Sequence, residues 1–215
     1  MIKLDDITRL KIKMTTISTL ISGEIKTDYI NKDKSVKLIR RTSNGKVAVP
    51  IYGVLRANAE KILKEKGGNV CDAGRPGTDA TCGKCKVCSL FGAMSQRGRA
   101  IIDDLISKKD AKEIVHKSFH SKIDRDTRSV VSGGTLNVEE VEENADFYGD
   151  IVILNSKEED LNILAASMEA TNMTGLGGWV TRGRGKVKME IETIESFKWT
   201  DFIKNAGEKL LKVLK

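Results

Sequence analysis

Residues 171–189 read TNMTGLGGWVTRGRGKVKM. The stretch joins the end of one element to the start of another. Upstream, SKEEDLNILAASMEATNM (156–173) places Leu161, Leu164, Ala165 and Met168 at helical spacing, and Ser156 with Glu159 forms a capping box ahead of them. Downstream, KVKMEIETI alternates strictly, with Val187, Met189 and Ile191 on one face of a strand. Between them, Gly175–Lys186 holds five glycines, three cations and one Trp. One or two glycines are enough to end a helix, so the run asks for a further explanation.

Reading outward gives the remaining elements. TRLKIKMTT (8–16) sets Leu10, Ile12 and Met14 against Lys11, Lys13 and Thr15, a half-buried strand whose phase slips near Thr16 and Ile17, at a bulge or at the strand's end. After Pro50, the residues Ile51, Val54, Leu55, Ala59, Ile62 and Leu63 share one helical face, and Gly67-Gly68 ends the helix. RAIIDDLI (99–106) and DFYGDIVILN (146–155) read as single buried strands. TDFIKNAGEKLLKVLK (200–215) reads as a final amphipathic helix.

The order is strand, helix, strand, strand, helix, strand. That is an α+β domain with a ferredoxin-like βαββαβ core, the arrangement also found in RNA-recognition motifs. A chain of 215 residues fits one such domain, 1–215, with insertions at 22–49, 69–96 and 112–140. The first insertion reads as a long loop with a hairpin closed at Ser43-Asn44-Gly45. The third reads as a protruding hairpin with its turn at Ser132-Gly133-Gly134.

Charge is distributed unevenly. Residues 1–60 hold 12 Lys/Arg against 6 Asp/Glu, and 61–128 hold 15 against 9, so each segment carries +6. Residues 129–173 hold 1 against 10, a net of −9, and 174–215 hold 9 against 5, a net of +4. The polarity suits a polyanion-binding face opposed to an acidic one. The start, MIKLDDITRLKIKM, has no apolar run of signal-peptide type. No stretch approaches 18 apolar residues, so a cytoplasmic protein without a membrane partner is expected.

Cys71, Cys82, Cys85 and Cys88 are the chain's four cysteines, and the last three fall in CGKCKVC. Thiolates so spaced wrap a tetrahedral ion, and four of them close its shell. A structural Zn²⁺ stapling a loop poor in apolar residues is the expectation, with an iron–sulfur cluster as its rival. His116 and His120 read as solvated or hydrogen-bonding residues of the hairpin, away from the glycine run.

Several motifs recur in order: CKVCSLFG, QRGRAIIDD, HSKIDRDTRSVVSGGTLNVEEV and GLGGWVTRGRGKV. This series, from about Pro50 to Val187, resembles the RAMP superfamily of CRISPR-associated proteins, and most of all the multi-copy backbone subunit of type III (Csm/Cmr) effector complexes. The resemblance implies copies of the chain stacked along a CRISPR guide RNA beside other effector subunits. A thumb-like hairpin would splay base pairs, and complementary target RNA would be cut at regular intervals by a metal-dependent endoribonuclease using a loop aspartate and Mg²⁺. Asp33 is the position that best matches that aspartate, and Asp28 is the second. The segment SVKLIRR lacks the proline of the family pattern, so the same resemblance also admits a non-cutting scaffold of a type I or inactive type III complex.

For such a role, glycines let backbone N–H groups approach a phosphate, and Gly175, Gly177 and Gly178 are candidates, with Gly183 and Gly185 beyond them. Arg182, Arg184 and Lys186 would neutralise phosphate charge, as would Arg56, Arg97, Arg99, Lys122 and Arg125. Trp179 would stack on a base or anchor the loop, and Val130 or Val131 would wedge. The acidic EEVEEN (139–144) reads as a solvated or partner-facing surface. A stand-alone RNA-processing enzyme is a third reading, and it wants an acid–base histidine beside the glycine run; a zinc-stapled ferredoxin-like protein-interaction module, with no nucleic acid, is the fourth.

Overall fold

The computed structural model describes residues 4–27, 35–71, 81–201 and 204. The chain opens with β1 (Asp6–Thr16), β2 (Gly23–Thr27), β3 (Ser35–Ile39) and β4 (Lys46–Val49), followed by α1 (Tyr52–Glu65) and α2 (Lys86–Phe91). Short strands β5 (Gly92–Ala93), β6 (Gln96–Arg97), β7 (Ala100–Ile102) and β8 (Leu105–Asp110) lead to α3 (Ala111–Ile114). The long hairpin β9 (Val115–Ile123) and β10 (Val130–Val141) is followed by β11 (Asp146–Leu154), α4 (Glu158–Thr174) and β12 (Val187–Lys198).

The main sheet runs β12-β1-β11-β8-β4, with β7 also paired to β11. Every pairing in it is antiparallel. The alternation in β1 decides its two faces. Leu10, Ile12 and Met14 are at most 1% exposed, and burying such a side chain stabilises by about 1.5–3 kcal/mol. Arg9, Lys11 and Lys13 point the other way and pair across strands with Asp150, Glu195 and Asp146. β1 ends at Thr16, which settles the phase slip as the strand's end; the register shift against β12 falls earlier, between Lys11 and Ile12.

Helices α1 and α4 cover the apolar face. Leu55, Ala59 and Leu63 from the first, with Ile51 just before it, join Leu164 and Met168 from the second in one core. Buried Asn58 links the helices, its Nδ2 donating to Thr171 Oγ1 at 3.0 Å. The buried stripe of α4 is Ile163, Leu164, Ser167, Met168 and Thr171, while Ala165 is exposed. Small polar residues hide well inside a helix when they bond back one turn, as Ser167 Oγ does to Ile163 O at 2.7 Å. Apolar spacing alone cannot see them.

Other expectations need correction. The cap of α4 sits one residue later than Ser156/Glu159. Asp160 Oδ2 accepts from Lys157 N at 2.9 Å, and Ser156 instead pairs with Thr8. RAIIDDLI is two strands, because the chain folds over Gly149. A Cβ there would meet Leu105 Cδ2 at 2.8 Å. The first insertion carries β2 and β3, which form a second sheet β2-β3-β10-β9. Its Ser-Asn-Gly hairpin is present, with Thr42 N donating to Lys46 O at 2.8 Å. The long hairpin turns at Asp124–Ser129 and not at Ser132-Gly133-Gly134. Asp124 Oδ1 accepts from the N–H groups of Asp126 and Thr127, each at 2.9 Å, a side-chain closure that needs no glycine. The two glycines lie inside β10, where its register against β9 shifts between Val130 and Thr135.

Candidate functional site

Three features carry the candidate chemistry, each rooted in the core by buried residues such as Leu90, Leu176 and Val141: the cysteine knuckle, the glycine loop and the long hairpin. The cysteine Sγ atoms lie within 4.8 Å of one another. Cys71 Sγ is 4.0 Å from Cys85 Sγ and 3.8 Å from Cys88 Sγ. Four thiolates around an ion at about 2.3 Å stand roughly 3.8 Å apart, so the set fits a tetrahedral ion. Backbone amides also aim at sulfur: Lys84 N and Cys85 N donate to Cys82 at 3.4 and 3.3 Å, and Cys88 N donates to Cys85 at 3.4 Å. The Lys84 amide foremost, then the Cys71 side chain and the Cys85 amide, pull the Cys82 thiol down to about 6. Burial pushes Cys71 up to about 12. These four cysteines can hold a metal ion, and they are the one such group among the described residues.

The knuckle is docked on α1. Tyr52 stands edge-on to Phe91 at 5.9 Å, and its hydroxyl donates to Phe91 O at 2.7 Å. Arg56 donates to Gly92 O at 2.9 Å and to Glu60 at 3.0 Å, with its side chain only 11% exposed. Arg56 is therefore a strut between helix and knuckle, not a surface cation. Arg99 is likewise internal. Its two Nη atoms grip both oxygens of Asp160 at 2.6 and 2.7 Å, tying the entry of β7 to the start of α4.

The glycine loop packs against its own chain. Gly178 N donates to Ile21 O and Gly185 N to Thr19 O, each at 2.8 Å, while Gly175 N and Gly183 N also bond to nearby carbonyls. A Cβ on Gly177 would lie 2.3 Å from Ile21 O, and one on Gly185 would lie 2.1 Å from Leu176 O. The glycines thus admit residues 19–21 at backbone contact. Four of the five N–H groups expected to face a phosphate are bonded inside the protein. The loop's cations divide. Arg182 and Lys186 are exposed, while Arg184 Nη2 pairs with buried Glu140 at 2.9 Å.

The hairpin base closes on this loop. His120 meets Trp179 edge-on at 4.6 Å, so a histidine does stand beside the glycine loop, contrary to the expectation from sequence. Ser118 Oγ is 3.1 Å from His120 Nε2. Further out, Lys122 and Arg125 are exposed near the turn. On the opposite face of β9, Phe119 and Ile123 are 72% and 61% exposed, and Val130, 55% exposed, is the cross-strand partner of Ile123. Arg97 is exposed in β6. Asp33 and Asp28 lie outside the described residues.

The acidic stretch is not wholly solvated. Glu139 pairs with Arg41 at 2.8 Å and accepts from Ile39 N at 3.0 Å. Burial alone would raise its carboxyl and that of Glu140, but their donors outweigh it and hold both below the usual value. The strict alternation His116-Ser118-His120 opposite Glu140 was the available signal for the buried acid, since alternate residues share a strand face.

The RAMP superfamily model matches residues 13–188, and the chain belongs to that superfamily. A relative from Methanocaldococcus jannaschii, the CRISPR system Cms endoribonuclease Csm3, is 27% identical over 162 residues, covering 69% of this chain and 64% of that protein. A chain in the cryo-EM structure of the type III-B Cmr-beta complex bound to cognate target RNA superposes with a TM-score of 0.58 at 16% identity, covering 90% of this chain and 61% of that one. The protein spans less than two thirds of the length of either. Among the described residues, no helix is long and apolar enough to cross a membrane.

Proposed function

We propose that this chain is the guide-RNA-binding backbone subunit of a type III CRISPR effector complex, stacked in copies of itself along the RNA with other effector subunits. One observation carries the reading: a long hairpin with a basic end is seated at its base on a glycine loop that offers exposed cations. Arg182 and Lys186 on the loop, Lys122 and Arg125 on the hairpin, and Arg97 beside the cysteine knuckle would contact phosphates, and Trp179 would border a base. Few aromatic side chains are available for stacking, so grip by backbone and shape with little sequence preference follows. The basic arm holds the guide, while Ile123 and Val130 form the wedge that splays base pairs. The strand order β12-β1-β11 continued by β7 and β8, with α1 and α4 on one face, supports a ferredoxin-like core. Zn²⁺ is the ion best suited to four thiolates in a closed knuckle.

Cleavage of guide-paired target RNA is assigned to Asp33, with Asp28 as second choice. Either would position Mg²⁺ or the 2′-hydroxyl beside the scissile phosphate. The relative named an endoribonuclease favours a cutting subunit over a scaffold. The test is a reconstituted complex with guide, labelled complementary RNA and Mg²⁺, comparing wild type with Asp33→Ala and Asp28→Ala. Regularly spaced cuts lost only in Asp33→Ala support the assignment. Tight guide binding with no cutting in any variant makes the subunit a scaffold.

A further inference from the structure

One buried carboxylate belongs to neither the cysteine knuckle nor the exposed cations. The Glu140 side chain is 2% exposed. Its Oε1 accepts from Ser118 Oγ at 2.6 Å and lies 2.9 Å from Arg184 Nη2 and 3.4 Å from His120 Nε2. Its Oε2 lies 3.8 Å from His116 Nε2. Ser118 and the histidines belong to β9, Glu140 to β10 and Arg184 to the glycine loop. A single acid therefore joins both arms of the hairpin to the glycine loop.

A second observation concerns Trp179. Its φ of 58° is left-handed, a conformation that a bulky residue keeps only when its surroundings hold it. Its carbonyl accepts from Arg182 N at 2.8 Å, and two partners of Glu140 touch its ring. His120 packs edge-on against the indole at 4.6 Å, and the Arg184 guanidinium stands 5.2 Å from the ring centre. Arg182 adds a third contact at 5.5 Å. Among the described residues, Arg184 Nε is buried without a hydrogen-bond partner, and the guanidinium is held by its ion pair with Glu140 and its contact with Trp179.

We propose that Glu140 is a positioning residue that latches the glycine loop to the hairpin base, holding Arg184 and His120 and, through them, the pose of Trp179. Two elements on separate parts of the chain then present one rigid surface. A charge-assisted pair with its acid buried suits the task, because such hydrogen bonds are short and directional. The consequence for RNA rests on the function proposed above, whereas the latch does not.

The test uses the full chain in a Trp199→Phe background, which leaves Trp179 as the one indole. Glu140→Gln keeps the volume and an acceptor for Ser118 but removes the charge that holds Arg184. Acrylamide quenching of Trp179 is expected to rise about twofold, and amide exchange along β9 to accelerate about tenfold, with the rest of the fold protected. Arg184→Gln is expected to loosen the same two readouts, and the double variant to be no worse than either single one, since both break one interaction. Affinity for a single-stranded RNA oligonucleotide is expected to fall about tenfold in each variant. Unchanged quenching and exchange in Glu140→Gln overturn the latch. Should that variant not fold, the same readouts unchanged in Arg184→Gln overturn it. Loosening without loss of RNA affinity upholds the latch and refutes the RNA-facing role of the loop.

Discussion

Arg99→Met separates a structural cation from an RNA-binding one. The guanidinium grips Asp160 with two hydrogen bonds at 2.6 and 2.7 Å and also donates to Asn155 O at 2.9 Å. The two side chains are 14% and 7% exposed. Removing one partner of a buried pair costs about 3–5 kcal/mol, because the other is left charged and uncompensated. Residual exposure of Arg99 places the expected cost near the lower limit, about 3 kcal/mol. Asp160 also caps α4 through Lys157 N, so the start of that helix should loosen with it. For a chain of this size, 1 kcal/mol shifts the melting temperature by about 2–4 °C, giving a fall of roughly 6–12 °C. Calorimetry measures it, and RNA affinity is measured well below the new midpoint. Affinity should match wild type there. An unchanged melting temperature with weakened RNA binding would refute the reasoning and return Arg99 to the phosphate-contacting set.

Arg97→Met gives the opposite result: stability within about 0.5 kcal/mol of wild type and a shallower salt dependence of RNA binding in filter assays. Gly185→Ala should destabilise the glycine loop, since φ is +73° and the new Cβ would press on Leu176 O; proteolysis at the loop would report it. Acid should weaken the hairpin base. Glu139 and Glu140 have folded-state values below the ordinary 4.5, so their contribution is present above 4.5 and is lost as pH falls through the lower folded values. Urea midpoints across that range should fall less steeply for Glu139→Gln/Glu140→Gln than for wild type. Purified chain should carry one metal ion per four cysteines by elemental analysis, and Cys82→Ser should lower both metal content and melting temperature.

Much of the fold was legible because β1, α1 and the first half of β12 each bury one face and leave the other more exposed, and because β11 is an apolar run of strand length. The period of Leu10, Ile12 and Met14, or of Ile51, Leu55 and Ala59, is written directly in the sequence. Where the structure departs from sequence expectation, a polar group or a glycine had taken a job that hydrophobic periodicity does not register. Asp124 closes the hairpin turn that Ser132-Gly133-Gly134 was expected to make. Ser167 and Thr171 sit inside a helix because they bond back to its carbonyls. The cysteine spacing revealed the knuckle, since ligand geometry is local. The partners of Arg56, Arg99 and Arg184 were hidden, because Gly92, Asp160 and Glu140 come from other elements, and only the folded topology brings them within reach. Trp179 beside His120 has the same origin.

The most direct measurement is the salt dependence of single-stranded RNA binding by wild type and by the variant Lys122→Gln/Arg125→Gln/Arg182→Gln/Lys186→Gln. Each phosphate contact on a single strand contributes about 0.7 to the slope of log affinity against log salt. Four lost contacts should make the slope shallower by roughly 3, to a similar extent for RNAs of different sequence. A folded variant with the slope and affinity of wild type would contradict an RNA-binding surface built from the glycine loop and the hairpin.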